Sequence, residues 1–106
     1  MGAKARIDWD VGNLEKCQKH GVTLSEILEV FDGDPFTGPD EDHSREERRY
    51  FAVGPNRSGR PIFVVYTLRM IDGIERVRPV SARYMHRKEI ERYDALRRSQ
   101  DPNPED

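Results

Sequence analysis

The clearest periodic segment of the chain is a run of apolar residues at i, i+3, i+4 and i+7 spacing that begins at Leu24 and ends at Phe31. Directly before it, Thr23 and Glu26 form the Thr-x-x-Glu pattern of a helix capping box. Gly33 follows the run and is a typical residue for ending a helix. The pattern therefore predicts an amphipathic helix over residues 23–31.

The other elements are shorter and are predicted from alternation, β-branched content and turn residues. In chain order they are a first strand over 6–10, a helix over 14–20, strands over 49–53, 62–68 and about 75–82, and a last helix over about 86–98. Residues 62–68 are apolar on both alternations, which indicates a central strand covered on both faces. Pro79 interrupts the following strand, which we therefore expect to be bulged or to lie at an edge. The resulting order, β-α-α-β-β-β-α, predicts an α+β fold with helices packed on an antiparallel sheet.

The length of 106 residues is enough for one domain, which we place at residues 1–98. Residues 32–47 carry seven acids with two prolines and two glycines, and this composition predicts an acidic loop. Residues 99–106 have three acids, two prolines and no apolar residue, so we expect a disordered acidic tail. No apolar stretch approaches the roughly 20 residues of a membrane span. With one cysteine, Cys17, the chain is expected in the cytoplasm, with no membrane association.

The net charge of −2 conceals a division between two halves of the chain. Residues 1–48 carry a net charge of −6, whereas residues 49–98 carry +7, and eleven of the twelve cations in that second segment are arginines. The planar guanidinium of arginine suits bidentate contacts with phosphate or carboxylate. The second half is therefore suited to meeting an anion, either a nucleic acid or an acidic partner. Solvated faces with local ion pairs explain the same composition.

The residue types favour chemistry that uses no metal and no cofactor. The three histidines are far apart in the sequence and no paired-cysteine motif is present, so a metal site is poorly supported. RNA can be cleaved without a metal when its own 2′-hydroxyl attacks the adjacent phosphate, provided that a base, a cationic clamp and an acid are supplied. The candidate residues for these roles are Lys19, His20, Glu47, Arg49, Arg69, Arg83 and Tyr93. Composition alone leaves RNA binding without cleavage equally open, and each candidate also has an ordinary structural explanation.

A series of short blocks resembles one protein family. The blocks are Trp9-Asp10, Asn13, Lys19-His20-Gly21-Val22, Glu26, Val30-Phe31-Asp32, Asp34-Pro35, Glu47-x-Arg49-Tyr50, Val53-Gly54, Val64-Val65-Tyr66-Thr67-x-Arg69, Arg78-x-x-Ser81-Ala82-Arg83, Glu89 and Tyr93. In this order and spacing, over about residues 7–94, they are similar to the BrnT toxins. The resemblance implies a RelE-like fold and a ribonuclease toxin of a bacterial type II toxin–antitoxin pair that inhibits translation.

The resemblance also implies a partner and a set of site residues. The partner is a BrnA-like antitoxin with a ribbon-helix-helix DNA-binding domain, and the complex would contact operator DNA only through the antitoxin. The site residues carried over are Lys19, His20, Glu47, Arg49, Arg69, Arg83 and Tyr93. Three positions depart from the family pattern: Tyr84 stands in place of a cation, Pro79 in place of a strand residue, and Leu68 in place of an acid.

Two functional hypotheses of different classes follow. The first is a metal-independent endoribonuclease toxin that acts on RNA. The second is a toxin-like binding module that does not cleave RNA and serves as an antitoxin partner and transcriptional co-repressor. Expression of the chain alone distinguishes them, because only the first would degrade RNA.

Overall fold

A computed structural model describes residues 7–43 and 47–100 of the chain. The described elements, in chain order, are α1 (Val11–Cys17), α2 (Leu24–Asp32), β1 (Phe36–Pro39), a 3₁₀ turn (Glu41–His43), β2 (Tyr50–Pro55), β3 (Pro61–Ile71), β4 (Ile74–Tyr84) and α3 (Arg87–Gln100). The strands form one antiparallel sheet in the order β1-β2-β3-β4. The α+β class is confirmed. Within the described residues, no helix is long and apolar enough to cross a bilayer.

Helix α2 confirms the prediction from the capping box. The Thr23 hydroxyl accepts a hydrogen bond from the Glu26 amide, and the Glu26 carboxylate accepts one from the Thr23 amide. Val22 precedes the cap and Ile27 lies in the first turns, and both are buried in the core. Gly33 is the C-cap residue. Local signals at both ends therefore determine this helix.

Helix α1 begins earlier than the predicted segment 14–20. Asp10 is its N-cap: the carboxylate accepts from the Asn13 amide, and the Asn13 side-chain oxygen accepts from the Asp10 amide. The Asn13 side-chain amide also donates to the carbonyls of Asp8 and Pro79, which ties α1 to β4. The helix ends at Cys17 rather than His20. An asparagine at the third helical position is a weaker sequence signal than the usual Glu or Gln, which explains the difference in boundary.

The structure differs from the prediction in the first strand, the acidic loop and the tail. Of the segment 6–10, Arg6 lies outside the described residues, and Ile7 makes a single parallel bridge to Val77. The predicted acidic loop 32–47 contains β1, which pairs with β2 from Phe36↔Val53 to Pro39↔Tyr50. Of the predicted tail, residues 101–106 lie outside the described residues, whereas Ser99 belongs to α3.

The sheet separates two helical layers. On one face, α1 packs on β4, and α2 packs on β2 and β3. The buried cluster on this face is formed by Cys17, Val22, Ile27, Val30, Ala52, Ile62, Val64, Tyr66 and Ala82. On the opposite face lies α3, which reaches the sheet through Tyr93 and the Arg83–Glu89 contact. The expectation that residues 62–68 form a covered internal strand is confirmed up to Thr67, which is 1% exposed, whereas Leu68 is 36% exposed.

A β-bulge interrupts the pairing of β3 with β4 at Pro79. Val65 is opposite Ser81, but the next residue, Tyr66, is opposite Pro79, so Val80 is an extra residue on β4. Proline cannot donate to a strand ladder and is tolerated at such an irregularity. The prediction that Pro79 marks a bulged strand is therefore confirmed.

Candidate nucleic-acid interface

The bulge at Val80 decides which arginines share a face of the sheet. On the C-terminal side of the bulge in β4, Arg83 is opposite Phe63, and on its N-terminal side Arg78 is opposite Thr67. Directly opposed strand residues point to the same face, and positions two apart along β3 also share a face. Without the extra residue, the alternation along β4 would place Arg78 on the face opposite Arg83. With it, four arginines occupy the face that also carries α3, and we call this surface the arginine face: Arg69, Arg76, Arg78 and Arg83.

The far end of the arginine face contains a cross-strand pair of like charge. Arg69 on β3 and Arg76 on β4 are directly opposite. Among the described residues, Arg69 has no carboxylate within ion-pair distance, and it is exposed. Directly opposed like charges disfavour strand pairing, so this pair places two cations side by side at one end of the sheet.

Arg78 is held by two acids from the segment that precedes α1. Its Nη1 lies 2.7 Å from Oδ2 of Asp10 and 3.7 Å from Oδ2 of Asp8. The Asp10 carboxylate is the main cause that raises the pKa of Arg78, and Glu47 contributes through its charge. In turn, Arg78 and the Asn13 amide lower the pKa of Asp10. The Arg78 side chain is therefore already neutralised, and it links the sheet to the N-cap of α1.

Arg83 is fixed at the α3 end of the arginine face. Its two terminal nitrogens donate to the two carboxylate oxygens of Glu89, each at 2.7 Å, and its guanidinium lies 4.7 Å from the ring centroid of Phe63. The Arg83 guanidinium is the main cause that lowers the pKa of Glu89 to about 2. The His86 amide donates to the same carboxylate at 2.8 Å. Arg83 therefore orients the first turn of α3 in this conformation.

The other predicted site residues do not form one cluster with Arg83. Glu47 and Arg49 lie just before β2, and Glu47 is exposed and near enough to influence Arg78. Arg49 is half-buried, and its carbonyl accepts a hydrogen bond from the Asp40 amide at 2.9 Å. These two residues lie at the same end of the sheet as Arg69. Tyr50, the first residue of β2, is opposite Tyr66 on β3, and Arg69 follows Tyr66 by three positions.

Lys19 and His20 lie elsewhere, in the exposed turn after α1. The adjacent Gly21 carbonyl accepts a hydrogen bond from the Tyr84 hydroxyl at 3.4 Å, which places this turn near the end of β4. Tyr84 is opposite Ile62, seven residues from Arg69 along β3. At the rise of an extended strand, that separation is roughly 23 Å. The turn and the Arg69 end therefore face different parts of any bound chain.

Tyr93 is buried in the contact between α3 and the sheet. Its ring centroid is 6.3 Å from that of Phe36, and the Arg97 guanidinium lies 5.7 Å from the Tyr93 ring centroid. It is 8% exposed. In this conformation the ring anchors α3, as its spacing from Ile90 also indicates.

Tyr84 belongs to the face opposite the arginine face. Its hydroxyl donates to Glu26 at 2.8 Å, and the Arg60 guanidinium lies 3.6 Å from its ring centroid. Glu26 also accepts from the Asn56 side chain at 2.7 Å. Tyr84 therefore joins α2, the β2–β3 turn and β4.

Sequence reasoning missed Arg76 and Arg78 as members of the cationic surface. A strict alternation along β4 separates them from Arg83, and only an extra residue brings the three together. Pro79 was the available signal, because a proline inside a paired strand indicates a bulge and a bulge reverses the alternation.

The described residues contain no cluster of three or more histidine, cysteine, aspartate or glutamate side chains placed to hold a metal ion. Cys17 is fully buried, and burial raises the pKa of its thiol to about 11. A thiol in this state is a packing group rather than a nucleophile.

Comparison with protein families identifies a match that covers most of the chain. The model of the family described as "Ribonuclease toxin, BrnT, of type II toxin-antitoxin system" matches residues 9–89, which include both helices before the sheet, all four strands and the Arg83–Glu89 pair. Comparison with curated proteins gives no match.

Proposed function

Since the chain belongs to the BrnT family of ribonuclease toxins, we propose that it is a metal-independent endoribonuclease that binds RNA along the arginine face. Its cellular effect is inhibition of translation in the cytoplasm. The observation that carries the proposal is the bulge at Val80, which aligns Arg76 and Arg78 with Arg69 and Arg83 on one face. Arg69 and Arg83 are about 20 Å apart along the strand, which suits contacts with several phosphates of a single strand.

The chemistry is assigned to the end of the sheet with Glu47, Arg49 and Arg69. In the proposed step, the RNA 2′-oxygen bonds to the adjacent phosphorus as its proton passes to the Glu47 carboxylate. The bond from phosphorus to the 5′-oxygen breaks, and that oxygen takes a proton from water. Arg49 and Arg69 stabilise the negative charge on the phosphorane, a role in which one positioned donor is worth about 10²–10³ in rate.

The remaining residues of the predicted set are given supporting roles. Lys19 and His20 are assigned to a part of the RNA beyond the arginine face, because their turn lies beside Tyr84 on the opposite face and roughly 23 Å from Arg69. Arg83 binds phosphate at the other end of the arginine face when the Glu89 contact is exchanged. Tyr93 keeps α3 in position through its ring.

The test of the activity is cleavage of a 5′-labelled single-stranded RNA by the purified chain in excess EDTA. The proposal predicts products that end in a 2′,3′-cyclic phosphate or a 3′-phosphate. Glu47→Gln and Arg69→Gln should each reduce the cleavage rate by at least about 10²-fold, and Arg57→Gln, on an exposed turn, is the matched control. Cleavage that requires Mg²⁺ and leaves 3′-hydroxyl ends would contradict the mechanism.

The family also implies an antitoxin partner. We propose a BrnA-like antitoxin with a ribbon-helix-helix domain, through which the complex contacts operator DNA. Binding of the antitoxin blocks access of RNA to the arginine face. Cleavage by the purified chain in the presence of saturating antitoxin tests this part, and undiminished cleavage would contradict it.

A second function is favoured by the ion pairs of the arginine face. Arg78 is engaged by Asp8 and Asp10, and Arg83 by Glu89, so at least two of the four cations have carboxylate partners. This arrangement also suits a non-catalytic toxin-like module that acts as an antitoxin partner and transcriptional co-repressor. Growth arrest and RNA degradation on expression of the chain alone support the nuclease, and their absence supports the module.

A further inference from the structure

A cleft of about 150 Å³ opens between α3 and the sheet. Aromatic and aliphatic side chains from both sides line it: Phe36, Val53, Phe63, Met85, Tyr93 and Leu96. Leu96 is 43% exposed, so the cleft can be reached from solvent. An accessible apolar cleft of this size accommodates one large side chain.

The few charged groups in the lining favour a hydrocarbon occupant over a nucleobase. They are Glu89 and Arg92. Both oxygens of Glu89 are engaged by Arg83, and one also accepts from the His86 amide. A buried base would leave polar edge atoms without partners, which is costly, whereas an aliphatic or aromatic side chain has no such requirement.

The charge around the cleft indicates an acidic partner. Residues 87–99 of α3 carry five cations and three acids. One of the three acids, Glu89, is neutralised by Arg83. The segments of this chain that follow and precede the described part do not fit: residues 101–106 are acidic but have no apolar residue, and residues 1–6 carry Lys4 and Arg6 without an acid. The complementary partner is another protein that presents an apolar anchor among acids.

We infer that the α3 cleft is the docking site for an acidic segment of the antitoxin, which inserts one apolar side chain against Phe63 and Leu96. This inference rests on one part of the proposed function, the antitoxin partner, and does not depend on RNA cleavage. Apolar anchors that fill a pocket at the centre of an interface commonly dominate its affinity.

The experiment measures the affinity of the antitoxin encoded with this chain for full-length variants by calorimetry. Leu96→Asp places a like charge where the acidic segment docks and should weaken binding at least about tenfold. The matched control is Ile74→Asp, because Ile74 is 50% exposed on the β3–β4 hairpin and does not line the cleft. Circular dichroism checks that both variants retain the fold, and Leu96→Ala, which adds no charge, should weaken binding in the same direction.

Each outcome separates this inference from the proposed function. Weaker binding by Leu96→Asp and Leu96→Ala, with binding by Ile74→Asp and RNA cleavage by all three unchanged, supports the inference. Antitoxin binding equal to wild type for both Leu96 variants overturns it, whether or not the chain cleaves RNA. If the Leu96 variants lose RNA cleavage but bind antitoxin normally, the cleft is an RNA site. If they lose only self-association, the cleft binds a second copy of the chain. Either result overturns the inference. A wild-type chain that binds antitoxin but does not cleave RNA refutes only the proposed function.

Discussion

Arg69 and Arg76 face each other across β3 and β4 and set two positive charges on the same side of the sheet. Directly opposed like charges disfavour a strand pair, so the two guanidinium groups repel each other across the ladder. In the proposed function, an RNA phosphate bound beside the two guanidinium groups offsets this repulsion. A substitution in this pair therefore distinguishes a role in RNA cleavage from a role in the stability of the fold.

Removing one charge of this pair should affect activity and stability in opposite directions. For Arg69→Gln we expect an unchanged or higher free energy of unfolding, by up to about 1 kcal/mol, because the cross-strand repulsion is relieved. RNA cleavage should fall by about 10²–10³-fold. Urea unfolding and a single-turnover cleavage assay measure the two quantities. A variant that is less stable and equally active would assign Arg69 a structural role.

The Arg83–Glu89 ion pair should make stability depend on pH in the acid range. Arg83 holds the pKa of Glu89 at about 2, below its ordinary value of 4.5. A depressed carboxyl pKa contributes stability that is fully present above about 4.5 and is lost as the pH falls towards 2. Wild type should therefore lose more stability than Glu89→Gln between pH 5 and pH 2 in urea titrations. Parallel pH profiles for the two proteins would contradict this role of the pair.

Asp10 has two roles that two substitutions can separate. It caps α1 through the Asn13 amide and pairs with Arg78. Asp10→Asn retains a good cap and removes the charge, whereas Asp10→Ala removes both. The melting temperature should fall by several degrees for alanine and by less for asparagine. Equal losses would mean that the ion pair, rather than the cap, dominates.

Tyr84 should contribute to stability and not to cleavage. Its hydroxyl donates to Glu26 on the face opposite the arginine face. Tyr84→Phe removes that hydrogen bond and leaves the ring under Arg60, so we expect the melting temperature to fall by a few degrees. The cleavage rate of the folded variant should stay within about twofold of wild type. A large loss of rate at unchanged stability would place Tyr84 in the RNA site.

Association with the antitoxin should be sensitive to salt. The cations of α3 are exposed, so they steer an acidic partner during encounter, and salt screens that attraction over about 10 Å at 0.1 M. Stopped-flow mixing from low to high salt should show a falling association rate with a smaller change in dissociation. An association rate that does not change with salt would show that electrostatic attraction does not steer the antitoxin to this surface.

The sequence by itself determined the features that depend on neighbouring residues. The Thr23–Glu26 capping box, the apolar run 62–68 and the proline of the bulge are local signals, and each led to the element that is found. Their physical basis is short-range: a cap satisfies amides within one turn, and a strand with two apolar faces must be internal. The α+β class followed from the order of these elements, and the family resemblance from their residues.

Only the tertiary structure decided the features that depend on distant residues. Strand β1 lies in a segment whose composition indicates a loop, and it forms because β2 supplies its hydrogen-bond partners and the Phe51 ring packs over Gly38. A Cβ at Gly38 would lie 2.9 Å from that ring, a requirement that no local pattern reveals. The sequence likewise contained all the arginines, but a single extra residue at Val80 decides which of them share a face. Strand register and bulges arise from pairing across the sheet, so the shape of the cationic surface is a property of the folded chain.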